Sequence, residues 1–233
     1  MIRKETLRRT IMKKKIGRIS VMLLTLLLSV AMLSGCGSKG PTAEDAQAYV
    51  KAVLDLMCLG DYDHSVDLAD VEEGSETAVR DDVITEMVEQ VSANANLDDD
   101  IKAEFTQLMI DAFGKAKYTV GEATPTDDGG FDVPVTIEPL RIFGVSDEEF
   151  ENAVSEKVQA NAEEVMAMSE TEQTNFVMKI LLELMRKTIE NPQYDEPQEV
   201  VVHYGVIDDE GNYGCSKEDG EAMGAKLFSA EGL

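Results

Sequence analysis

The sequence is short of the residue types on which many binding and catalytic sites depend. It has no tryptophan, six tyrosines and seven phenylalanines, so it offers few of the aromatic platforms that sugar-binding proteins commonly use. Its two histidines are His64, in a predicted loop, and His203, on a predicted strand. Their positions support neither a Ser–His–Asp nor a Cys–His arrangement. We therefore interpret both as solvent-facing or satisfied locally, and we expect a protein that is not an enzyme.

Basic residues are also scarce. The chain of 233 residues has 21 Lys and Arg against 46 Asp and Glu, and eight of the basic residues lie before residue 19. Residues 36–233 therefore contain 13 basic and 45 acidic side chains, a net charge of −32. This excludes nucleic acid, which needs clustered Lys and Arg, and a domain lying flat on anionic lipid. A cation or a basic protein partner fits this charge, and so does a solvated acidic surface with no partner.

No apolar run is long enough to span a bilayer. The longest, residues 19–33, has 15 positions and is interrupted by Ser20, Thr25 and Ser29, whereas a membrane-spanning helix needs about 20. A basic segment followed by a short apolar core is typical of a secretory signal peptide. Met1 and Met12 are alternative starts, because the sequence from Met12 is already a complete signal.

The end of this run carries a more specific motif. Leu33-Ser34-Gly35-Cys36 resembles the lipobox of bacterial lipoproteins. The resemblance implies that residues 1–35 are removed, that Cys36 receives a diacylglycerol, and that the protein is held on the outer face of the cell membrane. Two acyl chains give stable anchoring, whereas one gives only marginal binding. The alternative is an ordinary signal peptide with a chance cysteine.

The remaining residues suit a single domain with a sizeable core. We expect a short tether over 36–43 and a domain over 44–229. Cys58 and Cys215 could form a disulfide outside the cytoplasm, although buried free thiols are slightly favoured. No closely spaced cysteine pair or glycine-rich phosphate loop is present, and we expect no cofactor and no metal site.

Hydrophobic periodicity predicts an α+β fold with an antiparallel sheet, formed by two separated hairpins, packed against helices. A helical insertion over about 147–190 separates the hairpins. The predicted helices run from the Thr42 cap, which with Asp45 has a capping-box pattern, to Gly60 and over about 76–92, 98–113, 147–167, 170–190 and 217–228. Ser169 with Glu172 starts the helix over 170–190, and Arg186 favours the dipole at its end. The predicted strands are 117–123, 131–137, 200–206 and 212–215. Pro134 cannot donate to a ladder, so the second strand is predicted to be an edge strand or to contain a bulge.

Three segments carry a further resemblance: LGDYDHSVDL after the first helix, KYTVGEA–TDDGG–FDVPVTIEPL, and VVVHYGV–DDEG–NYGC. Together they resemble surface lipoproteins of Firmicutes whose domains are grouped with NTF2-like or cystatin-like folds. Members often have an aromatic residue, commonly tryptophan, in the last strand, where this chain has Tyr213. The resemblance implies an α+β domain and brings no catalytic residues.

The stretch DYDHSVDLADVEE (61–73) allows a calcium interpretation. Asp61, Asp63 and Asp67 are oxygen ligands at short spacing, and Glu72 stands at the twelfth position of an EF-hand loop. Val66 occupies the place where such a loop needs glycine. We therefore favour an acidic loop between helices.

These observations predict a lipid-anchored extracytoplasmic module that binds an unknown small ligand or a basic protein without catalysis. A concavity of the sheet is the expected place for a ligand. The alternatives are an envelope hydrolase that uses two carboxylates in one cleft, and an acidic calcium-responsive or structural spacer.

Overall fold

The protein is α+β, with a curled antiparallel half-barrel sheet packed against helices, and the predicted class is confirmed. The structure, a computed structural model, describes residues 40–229 except 69, 70, 94, 143 and 210. The predicted signal peptide, the lipobox and Cys36 lie outside the described residues. The helices are α1 (Ala43–Leu59), α2 (Glu76–Ala93), α3 (Asp99–Phe113), α4 (Asp147–Ala160), α5 (Ala162–Ala167), α6 (Glu170–Glu190) and α7 (Lys217–Leu227). The strands are β1 (Lys117–Val120), β2 (Thr124–Pro125), β3 (Phe131–Glu138), β4 (Gln198–Val206) and β5 (Tyr213–Cys215).

Both predicted hairpins are present and join into a single sheet. Its order is β1–β3–β4–β5, and the short β2 also pairs with β3. The strands β3 and β4 pair antiparallel, with Phe131 opposite Tyr204 and Ile137 opposite Gln198. The two hairpins are therefore connected through their long strands, while the helical segment 147–190 leaves and re-enters between them.

The bulge predicted as one alternative at Pro134 is present, in a strand, β3, that is central and not at the edge of the sheet. Val120 pairs with Val135 and Thr124 with Asp132, so three residues of the β1–β2 side lie opposite two of β3. The carbonyl of Pro134 accepts a 2.8 Å hydrogen bond from the Gly121 amide at this bulge. The N and O of one residue point to the same side of an antiparallel strand, so the missing donor of Pro134 faces the interruption.

The alternation in β3 separates a buried face from an open face, as its period of two predicts. Val133, Val135 and Ile137 are fully buried, together with Val202 of β4. The helices α1 and α7 pack against β3 and β4. On the open face, Thr136 is exposed and Val201 is 49% exposed.

The starts of the helices follow the predicted capping residues. Thr42 and Asp45 form a complete capping box at α1, and Ser169 and Glu172 form another at α6. Each box satisfies two backbone donors that the helix itself leaves unpaired. Gly60 ends α1 with a φ of 67°, a conformation that costs a glycine little.

The helix predicted over 147–167 is divided into α4 and α5 at Asn161. The backbone there has φ −123° and ψ 33°, which is outside the helical range. The side-chain amide of Asn161 donates a 2.9 Å hydrogen bond to the Lys157 carbonyl. Asparagine side chains compete in this way with helical backbone bonds, and the prediction of one continuous helix was wrong.

Helix α6 lies between two apolar clusters, and its predicted stripe describes only part of this arrangement. The sequence predicts one stripe of Val177, Ile180, Leu181, Leu184 and Ile189. Ile180 and Leu184, which belong to that stripe, pack with Phe150 and Val154 of α4. The opposite side enters the main core and consists of Met178, Leu182, Met185 and Ile189. Within the part of the chain that the structure describes, no helix combines the length and the apolar character needed to cross a membrane.

Candidate functional site

A cleft of about 460 Å³ opens between the C-terminal ends of α3 and α6. The two helices lie side by side and run in the same direction, because Asp98, Asp100 and Glu104 contact residues progressively further along α6. These contacts are with Asn175, Lys179 and Arg186, at 3.3, 3.0 and 3.2 Å respectively. Small-molecule sites commonly have volumes of about 300–1,000 Å³, so the cleft is large enough for a small ligand.

The cleft has an apolar floor and an ionic rim. Leu108 and Ile189 are almost completely buried at its floor. The rim carries two cations and two carboxylates, from Lys115, Arg186, Asp111 and Glu190. An apolar surface flanked by a few charged groups is typical of a site that orients a ligand.

The rim charges differ in how far they are already engaged. Arg186 contacts Glu104 at 3.2 Å, and Asp111 accepts a 3.0 Å hydrogen bond from the side-chain amide of Gln107. No ion pair is recorded for the side chains of Lys115 and Glu190 among the described residues. These two charges therefore remain available to a ligand.

The wall that carries Lys115 is held by Tyr194. The Tyr194 hydroxyl donates a 2.8 Å hydrogen bond to the Lys115 carbonyl. The ammonium of Lys117 lies 3.8 Å from the centre of the Tyr194 ring, a cation–π contact. No sequence pattern indicates this cleft, since Lys115 and Arg186 come together only through the packing of α3 on α6.

The buried face of the sheet is packed against helices, so the ligand site expected in a concavity of the sheet would have to lie on the open face. Tyr49, Val50 and Val53 of α1 and Met223 of α7 belong to the same buried cluster as the sheet residues. Side chains thus fill the buried face of the sheet. The candidate site lies in the helical layer instead.

Both histidines are partnered by carboxylates. The Nδ1 atom of His203 lies 3.1 Å from Asp132, and its Nε2 atom lies 3.2 Å from Asp128. The Nε2 atom of His64 lies 3.3 Å from Glu76 and 3.8 Å from Asp61. Neither histidine lines the cleft between α3 and α6.

The glycines around His203 explain how its ring fits on the sheet. A Cβ atom on Gly205 would lie 2.6 Å from Nε2 of His203, and one on Gly130 would lie 2.8 Å from Cε1. The absence of side chains at these two positions therefore makes room for the imidazole. Hydrogen bonds from the Thr126 hydroxyl and the Gly130 amide lower the pKa of Asp128, which favours its charged form beside the ring.

The acidic loop uses its carboxylates locally. Asp61 accepts a 2.9 Å hydrogen bond from the Tyr62 amide, and Asp63 accepts a 3.0 Å bond from the Ser65 amide. The bond from Ser65 lowers the pKa of Asp63. Among the residues that the structure describes, no group of three or more His, Cys, Asp or Glu side chains could hold a metal ion.

The core contains one buried carboxylate that the sequence does not indicate, and two thiols. Asp55 of α1 is only 7% exposed, and it accepts a 2.6 Å hydrogen bond from the Tyr118 hydroxyl and forms an ion pair with Lys51. Cys58 and Cys215 are free thiols, as the slightly favoured prediction had it. Burial raises the pKa of Cys58 to about 12 and also raises the pKa of Cys215.

A solved structure of similar fold is that of YcdA, a candidate lipoprotein from Bacillus subtilis. The match has a TM-score of 0.51 and a sequence identity of 13%. It covers 79% of this chain and 56% of that chain, so the chain spans little more than half the length of YcdA. Likeness at this identity shows a shared fold alone. Neither a protein-family model nor a curated protein sequence matches the chain.

Proposed function

We propose that the protein is an exported lipoprotein, held on the outer face of the cell membrane by a diacylglycerol on Cys36. The observation that carries this proposal is the motif Leu33-Ser34-Gly35-Cys36 at the end of a basic and then apolar segment. The fold likeness to a candidate lipoprotein supports it independently. In this account residues 1–35 are the signal peptide and residues 36–43 are the tether.

The same proposal includes the finer fold group, NTF2-like or cystatin-like. It is supported by a long first helix, α1, that packs against β1, β3 and β4 of an antiparallel sheet. The segment 147–190 would then be a helical insertion between the two hairpins. An experimental structure of the domain tests this assignment by superposition on both fold groups without the helices α4 to α6.

The domain would act by binding and not by catalysis, with the cleft between α3 and α6 as its ligand site. The buried floor of Leu108 and Ile189 provides apolar contact, and the ammonium of Lys115 and the carboxylate of Glu190 provide charges of both signs. Such a rim suits a small amphipathic ligand, or one segment of a basic protein partner.

The hydrolase alternative has one observation in its favour. Asp111 and Glu190 both line this cleft, and two carboxylates in one cleft can serve as general acid and general base. Hydrolysis of an envelope substrate by the wild type, lost in both Asp111→Asn and Glu190→Gln, would replace the binding account with the hydrolase.

Detergent-phase partition of whole cells tests the anchoring. We expect the wild type in the detergent phase and the Cys36→Ser variant in the aqueous phase or unprocessed, because only the cysteine thiol can take the lipid. Cys215→Ser is the matched control, since it removes the same atom from the folded domain, and it should partition like the wild type. Equal partition of Cys36→Ser and the wild type would contradict the proposal.

Native mass spectrometry of soluble residues 37–233 tests the binding. We expect an excess mass that disappears on denaturation and is reduced in the Lys115→Glu variant. Lys226→Glu is the matched control, because Lys226 lies on α7 and does not line the cleft. An excess mass that survives Lys115→Glu and Glu190→Lys unchanged would place the ligand elsewhere.

A further inference from the structure

The first turns of α1 lie at one end of the sheet. The side chain of Gln47 donates a 3.2 Å hydrogen bond to the carbonyl of Val120, the last residue of β1. The rings of Tyr49 and Tyr204 lie 4.9 Å apart, near the end of β4. Phe131, which follows the β2–β3 turn over residues 126–130, pairs with Tyr204. The start of α1 and this turn therefore share one end of the domain, the tether end.

The cleft lies at the opposite end. A Cβ atom on Gly114 would lie 4.0 Å from the carbonyl oxygen of Cys58, one residue before α1 ends. Gly114 also lines the cleft between α3 and α6. Helix α1 has 17 residues and is therefore about 25 Å long at 1.5 Å per residue. The cleft is separated from the tether end by about the length of this helix.

The short tether limits how far the tether end of the domain can move from the membrane. Only seven residue steps separate Cys36 from Ala43 at the start of α1, and seven residues reach at most about 25 Å even when fully extended. If Cys36 carries the lipid, the tether end of the domain stays within that distance of the membrane surface. The end of the domain that carries the cleft is not restrained in this way.

The net negative charge of the protein affects how the rest of the domain lies relative to an anionic membrane. Residues 36–233 carry a net charge of −32, and an anionic membrane surface has a negative potential. The exposed side chains of Asp127 and Asp128 in the β2–β3 turn are negatively charged and do not attract such a surface. Repulsion therefore moves the domain away from the lipid while the tether holds one end close to it.

We propose that the protein stands end-on at an anionic membrane, with the β2–β3 turn towards the bilayer and the cleft between α3 and α6 facing outwards. This inference rests on the proposed lipid anchor at Cys36. It also specifies the source of the ligand, because a cleft presented in this way meets solutes and proteins that reach the cell from outside. Molecules embedded in the same membrane would meet the opposite end.

Fluorescence quenching on vesicles tests this orientation. The full-length lipidated protein is purified in detergent, reconstituted on vesicles rich in phosphatidylglycerol, and labelled at a single introduced cysteine. The two variants are Asp127→Cys in the turn and Asp111→Cys at the cleft, a matched pair because each removes one exposed carboxylate. The unsubstituted protein measures background labelling, which should be low because Cys58 and Cys215 are shielded thiols.

We expect an acceptor dye on the lipid headgroups to quench the label at position 127 strongly and the label at position 111 weakly. The difference should correspond to about 25 Å, the length of α1. Raising the salt concentration to 1 M shortens the Debye length to about 3 Å, so the difference should then shrink.

Equal quenching at the two positions, or stronger quenching at position 111, would overturn the orientation while leaving the anchor intact. A difference that 1 M salt leaves unchanged would contradict the role given to charge repulsion. Loss of the protein from the vesicles during flotation would overturn the lipid anchor itself, and with it the orientation. Failure of the inference and failure of the proposed function are thus separate results.

Discussion

The hydroxyl of Tyr118 donates a 2.6 Å hydrogen bond to Oδ1 of Asp55, and this bond joins the edge strand β1 to the middle of α1. The other carboxylate oxygen of Asp55 pairs with Lys51, one turn earlier on the same helix. A carboxylate on a side chain that is only 11% exposed is costly unless its oxygens are satisfied. These two contacts allow a charged group to remain in the layer between the sheet and α1.

Removing the Tyr118 hydroxyl should lower the free energy of unfolding by about 2 kcal/mol, the usual range for a hydrogen bond to a charged group being about 1.5–3 kcal/mol. The variant is Tyr118→Phe, and urea denaturation measures the effect. Tyr213→Phe is the control, because it also removes a phenolic oxygen but no hydrogen bond of that hydroxyl is recorded among the described residues. Equal losses in the two variants would show that the bond to Asp55 contributes nothing specific.

Stability should also fall at alkaline pH. Burial raises the pKa of Tyr118, together with its hydrogen bond to Asp55, and burial raises the pKa of Tyr204 to about 12. A tyrosine pKa raised in the folded state gives a contribution that is complete below the unfolded value of about 10 and is lost as the pH rises towards the folded value. Thermal unfolding between pH 8 and pH 12 measures this, and Tyr118→Phe should show a shallower decline than the wild type. Parallel declines in the two proteins would contradict the assignment.

Two glycines near His203 should respond differently to alanine. A Cβ atom on Gly130 would lie 2.7 Å from the carbonyl oxygen of Tyr204, which is backbone, whereas the three atoms nearest to one on Gly205 all belong to the His203 ring. Overpacking costs about 1–3 kcal/mol when the neighbour cannot move. Gly130→Ala should therefore destabilise the protein by that amount, and Gly205→Ala by less.

A double-mutant cycle separates the clash with the His203 ring from the clash with the Tyr204 carbonyl oxygen. In a His203→Ala background, Gly205→Ala should become almost neutral, because the three atoms nearest to the added Cβ have been removed. Gly130→Ala should keep most of its cost. If the background rescues both substitutions equally, the imidazole and not the Tyr204 carbonyl limits the space at Gly130.

The two thiols of the folded domain should resist alkylation. Burial holds the pKa of Cys58 at about 12, so the reactive thiolate is scarce at neutral pH. We expect intact mass spectrometry of residues 37–233 without reductant to show no alkylation of native protein, and two alkyl groups after denaturation. Absence of alkylation in denaturant would show that Cys58 and Cys215 form a disulfide.

The sequence predicts the features that depend on neighbouring residues. The pairs Thr42–Asp45 and Ser169–Glu172 lie within one helical turn, and each forms the expected capping box. The alternation from Phe131 to Ile137 is likewise local, because a strand exposes alternate side chains regardless of its partner. These signals were sufficient for the α+β class and for both hairpins.

The features that the sequence leaves open or misses depend on distant residues. Pro134 is tolerated in a central strand because the β1–β2 side has one extra residue opposite it, and that count cannot be read from β3. The second apolar side of α6, with Met178 and Met185, is specified by the core it enters.

The candidate site shows the same limitation. Arg186 is explained in the sequence by its favourable position near the end of a helix, yet it contacts Glu104 of α3 and lines the cleft. No pattern in the sequence around Lys115 indicates that it lines a cleft. Only the parallel packing of α3 and α6 creates the site, so no inspection of either segment alone could have found it.

Mass spectrometry of the N-terminal peptide of the protein extracted from membranes tests the central claim most directly. The account predicts a peptide that begins at Cys36 and carries the mass of a diacylglycerol on its sulfur. A mature chain that begins elsewhere, or an unmodified Cys36 in the membrane-extracted protein, would contradict the lipid anchor and the outward presentation of the cleft that depends on it.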